Sequence, residues 1–175
     1  YRNVISVGSA DLEKQCIPGY REGIEMFLSY LTGEQTGVIS DVKEIERVGF
    51  KTVLSKGHFG VHELDEETMQ GMRDWLALAP VHNSAYLAAI EIMREVLPEA
   101  KFVGVFETAF HQTIPMERKI FGLPYEWYET YGVQRLGYHG ASHGYIADVL
   151  GEIAAKEGRK HYRAISCHLG GSCSI

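Results

Sequence analysis

An acid set directly behind an apolar run is the first chemistry this chain offers. Phe102-Val103-Gly104-Val105-Phe106 leads straight into Glu107, with Thr108, His111, Gln112 and Thr113 behind it. Such a run predicts a parallel strand buried on both faces. The C-terminal end of a strand of this kind is where open α/β sheets place reactive groups. Two other predicted strands also carry polar groups. Lys51 is embedded in Val48–Leu54, and His168 runs into Gly170-Gly171-Ser172-Cys173-Ser174, a Gly/Ser turn whose amides can form a phosphate nest. Loops around His82 and His139 can crowd the same edge. A cation, a carboxylate, imidazoles and a phosphate nest suit phosphoryl transfer, which asks for positioning and charge neutralisation more than covalent chemistry. The histidines also allow a metal reading. His139 and His143 are spaced to share one face of a helix, and with Glu107 or His111 they would form a hydrolytic metal site. Gly140 between them, and the absence of the Glu of an HExxH motif, count against it.

These residues need elements to hold them. Ile24, Phe27, Leu28 and Leu31 repeat at helical spacing within a predicted helix over Pro18–Leu31, closed by Gly33. The strand Val48–Leu54 follows, where a lone Lys51 reads most simply as a solvated edge residue. The loop Ser55–Gly60 carries two glycines that permit close backbone approach. Asp65–Ala77 predicts a second helix, with acids in its first turn and Met69, Met72, Trp75 and Leu76 for the core. A break over Leu78–Ser84 holds Val81 and His82. It leads to a third helix over Ala85–Leu97, capped by Asn83 or Ser84 and ended by Pro98. A histidine just before a helix N-terminus is placed to meet an anion. After the strand that ends at Glu107, Pro124 starts a short aromatic helix. Its Tyr125, Trp127 and Tyr128, with Tyr131, read as core or subunit interface. The turn Leu136–His143 opens a last helix bearing Ile146, Val149, Leu150 and Ile153 on one face, closed by Gly158. Tyr162–Leu169 reads as a final buried strand. Strands separated by helical segments predict an α/β fold, a mostly parallel sheet with helices on its faces.

Composition narrows the class. With 175 residues, 45% hydrophobic and 23% charged, the chain suits one domain or most of one. A net charge of −6 argues against a nucleic-acid footprint, since no basic stripe exists to release counterions. No run approaches the roughly 20 apolar residues of a membrane span, and the N-terminus lacks the basic start and apolar core of a signal peptide. Three cysteines, Cys16, Cys167 and Cys173, form no disulfide framework and favour reduced thiols in the cytoplasm. The chain begins without Met and stops just after a Gly-rich turn, which leads us to expect missing sequence at both ends.

The segments VFETAFHQTIP, LPYEWYETYGV, GYHGASHGYIA and ISCHLGGSCSI together resemble the acetate kinase family. That family's patterns read FDTAFHQT, LPYEWYEKYG, FHGTSH and CHLGNG. LAPVHNS is similar to the family's LAPLHNP, and VGFKTVL aligns with its GHRVVHGG; the resemblance runs from about Gly19 to Ile175. It implies the ribonuclease-H-like, actin-like ATPase fold with two domains about a cleft. Residues 1–175 would form most of the first domain, without its opening strand and without the second domain. By the same resemblance Glu107 stands for the family's catalytic aspartate, close to a magnesium ion, and His139 for the histidine that stabilises the transition state. Lys51 falls on the carboxylate-binding arginine. Val53, Val81 and Tyr138 match the acetate methyl pocket, and His82 matches another active-site histidine. His168, Leu169, Gly170, Gly171 and Ser172 match the nucleotide phosphate loop. The implied reaction is phosphorylation of a short-chain carboxylate, acetate by default, by ATP to an acyl phosphate and ADP. It implies a homodimeric full-length protein; charge and hydropathy lead us to expect no nucleic-acid or membrane partner, and the missing half of the cleft an inactive fragment. No direct metal ligand is expected here beyond Glu107 near the magnesium.

The sequence departs from the family pattern at the substrate clamp. Glu107 replaces Asp, Lys51 replaces Arg, Gly171 replaces the Asn of HLGNG, Leu54-Ser55-Lys56 replaces HGG, and Tyr138 replaces Phe. Lysine offers a point charge where arginine offers a bidentate fork, and Lys56 is expected to return a cation nearby.

Overall fold

A computed structural model describes residues 17–175 in full. Of the first sixteen residues it gives only four two-residue strands, β1 (Arg2–Asn3), β2 (Ser6–Val7), β3 (Ala10–Asp11) and β4 (Gln15–Cys16). The side chain of Cys16 therefore lies outside the described residues, whereas Cys167 and Cys173 are free and exposed.

Helix α1 (Tyr20–Thr32) ends at Gly33, as its periodicity predicts. A short 3-10 turn, Val42–Glu44, is capped by Asp41 and leads into strand β5 (Arg47–Thr52). Strand β6 (Gly60–Glu63) follows, then α2 (Glu66–Asp74), α3 (Pro80–Val96) and strand β7 (Lys101–Phe106). These three strands form one sheet in the order β5-β7-β6. β5 runs parallel to β7, pairing Arg47 with Lys101 through Thr52 with Phe106. β6 is antiparallel to β7, with Gly60 opposite Phe106 and Glu63 opposite Val103. Helices α1, α2 and α3 supply Leu28, Met69, Met72 and Ile90 to a core that meets Phe102 and Phe106 of β7 and Leu64 after β6.

β7 is buried on one face only. Phe102, Gly104 and Phe106 alternate inward, while Val105 is 42% exposed. The expectation of burial on both faces is thus corrected, because the three helices all contribute to a single core. On the open face the register sets Lys51 and Val61 on either side of Val105, and Glu107 follows one step beyond the strand.

Helix α3 also starts earlier than its sequence predicts. Pro80 takes the first helical position, so Val81 and His82 lie in the first turn and not in a loop. Asn83 is not a cap. Fully buried inside the helix, its side-chain amide donates to the carbonyls of Leu54 at 3.1 Å and Met72 at 2.9 Å. It thereby ties the exit of β5 to α2 and α3. Gly71 of α2 permits the same close packing, since a Cβ there would collide with Ser55 Oγ and the carbonyl of Lys56.

Past β7 the chain makes a 3-10 turn, Phe110–Thr113, and the helices α4 (Met116–Lys119), α5 (Tyr125–Tyr131) and α6 (Gly140–Lys156). Tyr125, Trp127 and Tyr131 of α5 are exposed, so they are not core as one reading had it. Gly132 ends α5 in the left-handed region. The final strand is much shorter than predicted. Only β8 (His168–Leu169) forms, paired antiparallel with β9 (Cys173–Ser174), while Ile165 stays 82% exposed. An apolar run becomes a strand only where a neighbour accepts its backbone bonds, and among the described residues none lies beside Tyr162–Cys167. No helix among the described residues is long and apolar enough to cross a membrane.

Candidate active site

Glu107 is the pivot. It leaves the end of β7, where its backbone N–H donates to the carbonyl of Thr52 at 3.2 Å, and its side chain is 8% exposed. Lys51 Nζ, on the adjacent strand and mostly exposed, lies 2.5 Å from Glu107 Oε2. A buried carboxylate is tolerable when a cation accompanies it, and here that cation is Lys51. Glu107 Oε1 has no hydrogen-bond partner among the described residues.

The N-terminal end of α6 presses against the same point. A Cβ on Gly140 would collide with the carbonyl oxygen of Glu107, so glycine lets the helix start touch the strand end. His139 caps that helix with φ 58° and ψ 21°, the one non-glycine residue at positive φ among those described. This conformation puts His139 outside the helix, so it does not share a helical face with His143. Tyr138 stands beside it. Burial, and secondarily the negative charge of Glu107, hold its phenol above the ordinary pKa. Its hydroxyl reaches the carbonyl of Leu78 at 3.5 Å, a long contact.

Beyond Glu107 lies a cluster of four imidazoles. The rings of His139 and His168 stack at 4.0 Å with planes 9° apart. His143 meets His111 edge-on at 5.5 Å and His168 at 6.4 Å. Serines bind this cluster together. Ser174 Oγ lies 2.9 Å from His139 Nδ1 and 2.8 Å from His143 Nε2. Ser166 Oγ lies 2.9 Å from His143 Nδ1, and Ser142 Oγ lies 3.0 Å from His168 Nδ1. Burial, and then the neighbouring His111, His168 and His139, lower the pKa of His143. Packed imidazoles of this kind resist accumulating charge. No group of three or more His, Cys, Asp or Glu among the described residues is arranged to hold a metal ion.

The structure brings Lys51, Glu107, Tyr138, His139 and His168 into one region. Val53 is 2% exposed, packed with Leu54 and Ala79 against Leu136, so its segment and the turn before Tyr138 meet. Val81, 81% exposed, and His82, also exposed, lie in the first turn of α3. Leu169, Gly170, Gly171 and Ser172 form an exposed turn closed by Gly170 N–H donating to the Ser172 carbonyl at 2.9 Å. Nothing lies within 4 Å of where a Gly171 Cβ would sit, so sterics do not require glycine there. Lys56 is exposed, makes no ion pair among the described residues, and its N–H is tied to the carbonyl of Gly71 on α2. Sequence reasoning did not single out Ser142, Ser166 or Ser174. Serine is common in turns, and only the fold shows these hydroxyls between imidazoles.

A sequence model described as the acetokinase family matches residues 2–175. The chain is 39% identical over 160 residues to the acetate kinase of Thermotoga maritima, which covers 91% of this chain and 40% of that relative. Among solved structures, a propionate kinase from Francisella tularensis superposes with a TM-score of 0.74 at 27% identity, over 93% of this chain and 40% of that one. Porphyromonas gingivalis acetate kinase gives 0.70 at 34% identity, over 81% of this chain and 36% of that one. The fold is therefore the α/β, actin-like ATPase type expected from the motifs. This chain spans about 40% of the length of these relatives. That match, over residues 2–175, places the chain in the acetokinase family.

Proposed function

We propose that the full-length protein is a carboxylate kinase, transferring a phosphoryl group from ATP to a short-chain carboxylate, with acetate the default substrate. This chain would supply most of the first ribonuclease-H-like domain, and the rest of the protein the facing half of the cleft. The observation that carries the reading is Glu107 at the end of β7 pressed against the start of α6, whose cap His139 stacks on His168. Lys51 would hold the substrate carboxylate as a point charge. His139 would donate a hydrogen bond to the transferring phosphoryl oxygens, where negative charge spreads in the transition state. The exposed turn His168–Ser172 would offer its amides to the nucleotide phosphates.

Magnesium commonly takes one or two carboxylates and completes its shell with phosphate oxygens and water. Glu107, buried and with Oε1 unpartnered, fits such a single-carboxylate role. When bound, the ion would neutralise phosphate charge. The chain's own part is to hold Glu107 in place through Lys51 and the Gly140 contact. Val53 and the apolar segments behind it would limit the size of the acyl group.

A second reading, a nucleotide-binding protein with little turnover, is favoured by the ion pair at the strand end, because Lys51 is neutralised by Glu107 instead of standing free. Hydroxamate trapping separates the two. Acyl phosphate formed from ATP with acetate, propionate or butyrate supports the kinase. Calorimetric binding of ATP with no product from any of the three supports the second reading.

A further inference from the structure

Ser174 Oγ touches His139 Nδ1 and His143 Nε2 at once, and one hydroxyl has one proton. If it donates to His139, it accepts from His143, and Ser166 then donates to His143 Nδ1. Accepting from both rings would leave the Ser174 proton without a partner among the described residues, so the four groups form a line with a single sense of donation. Read toward His139, both rings carry their proton on Nε2, the form an unconstrained neutral imidazole prefers. Read the other way, both rings carry it on Nδ1. The first sense therefore satisfies two rings together.

Two further observations fit. His143 is 5% exposed, and burial and its neighbours disfavour its charged form, so it acts as a neutral link. His139 Nε2 makes no hydrogen bond among the described residues, so a proton held there remains available. Resting on the kinase reading for its catalytic meaning, we infer that Ser166, His143 and Ser174 are positioning residues. Together they lock His139 as the Nε2–H tautomer, leaving that N–H free for the phosphoryl group. None of the three needs to touch substrate. The local backbone fits this task, because His139 is held in the left-handed region while β9 places Ser174 against its ring.

The test is nitrogen NMR of the full-length protein labelled with 15N-histidine, with His139 assigned by substitution. Expected are shifts of a neutral ring protonated at Nε2. Ser174→Ala should give a mixture of tautomers and lower kcat about tenfold with KM little changed. Ser174→Thr, which keeps the hydroxyl, should restore both. His139 protonated at Nδ1, or a tautomer unmoved in a folded Ser174→Ala protein, overturns the inference. If Ser174→Ala does not fold, His143→Gln takes its place: mixed tautomers at His139 support the lock, and an unmoved tautomer overturns it. An inactive protein with His139 in the Nε2–H form would sink the kinase reading and leave the lock standing.

Discussion

Glu107 and Lys51, read from the sequence as an Asp-to-Glu and an Arg-to-Lys departure from the family pattern, meet in one contact. A longer acid and a narrower cation suit one another, so the substitutions should be energetically coupled. Lys51→Arg and Glu107→Asp should each lower kcat/KM, and the double variant should recover part of the loss. A double-mutant cycle should give a coupling of about 1 kcal/mol or more; strict additivity would show that the residues act separately. His143 gives a pH prediction. The fold lowers its pKa from the ordinary 6.5, so below that pH the unfolded chain binds a proton that the folded chain refuses. The groups facing it, His111, His139 and His168 with Ser166 and Ser174, offer no negative charge to reverse this. Stability should therefore fall as pH drops through and below 6.5, read from thermal melts, and His143→Gln should flatten that slope.

Which elements could be read from the sequence follows from where their information sits. β7 and Glu107 were legible because an apolar run with an acid behind it is a local pattern. α1 was legible from its periodicity and from Gly33. β6 was not, because Gly60-Val61-His62-Glu63 has a single large apolar residue and exists through its pairing with β7. Asn83 read as a cap because asparagine before an apolar helix usually is one, yet Pro80 had already begun that helix. The imidazoles at the site were visible as motifs, but the serines between them are set by tertiary contacts alone. Two variants probe the joints. Asn83→Ala removes both donated bonds and leaves two buried carbonyls unpaired, so chemical denaturation should show a loss of about 2 kcal/mol or more. Gly140→Ala forces a methyl against the Glu107 carbonyl and should cost about 1–3 kcal/mol, along with activity, as α6 moves off the strand end.

At the scale of the whole molecule, one face of the sheet is covered by helices, and the other carries Lys51, Val105 and Val61 side by side, with Glu107 beyond the end of β7 in contact with Lys51. Lys51 and Glu107 thus sit on the side that the helices leave open. This chain spans about 40% of its relatives, so the proposed carboxylate kinase activity is that of the full-length protein. The direct measurement is hydroxamate trapping of acyl phosphate by that protein and by its Glu107→Ala variant, with ATP, magnesium and acetate, propionate or butyrate. The account predicts product from at least one carboxylate, and a loss of a hundredfold or more, in order of magnitude about 10², in Glu107→Ala. No product from any of the three, or an undiminished rate without the Glu107 carboxylate, would contradict it.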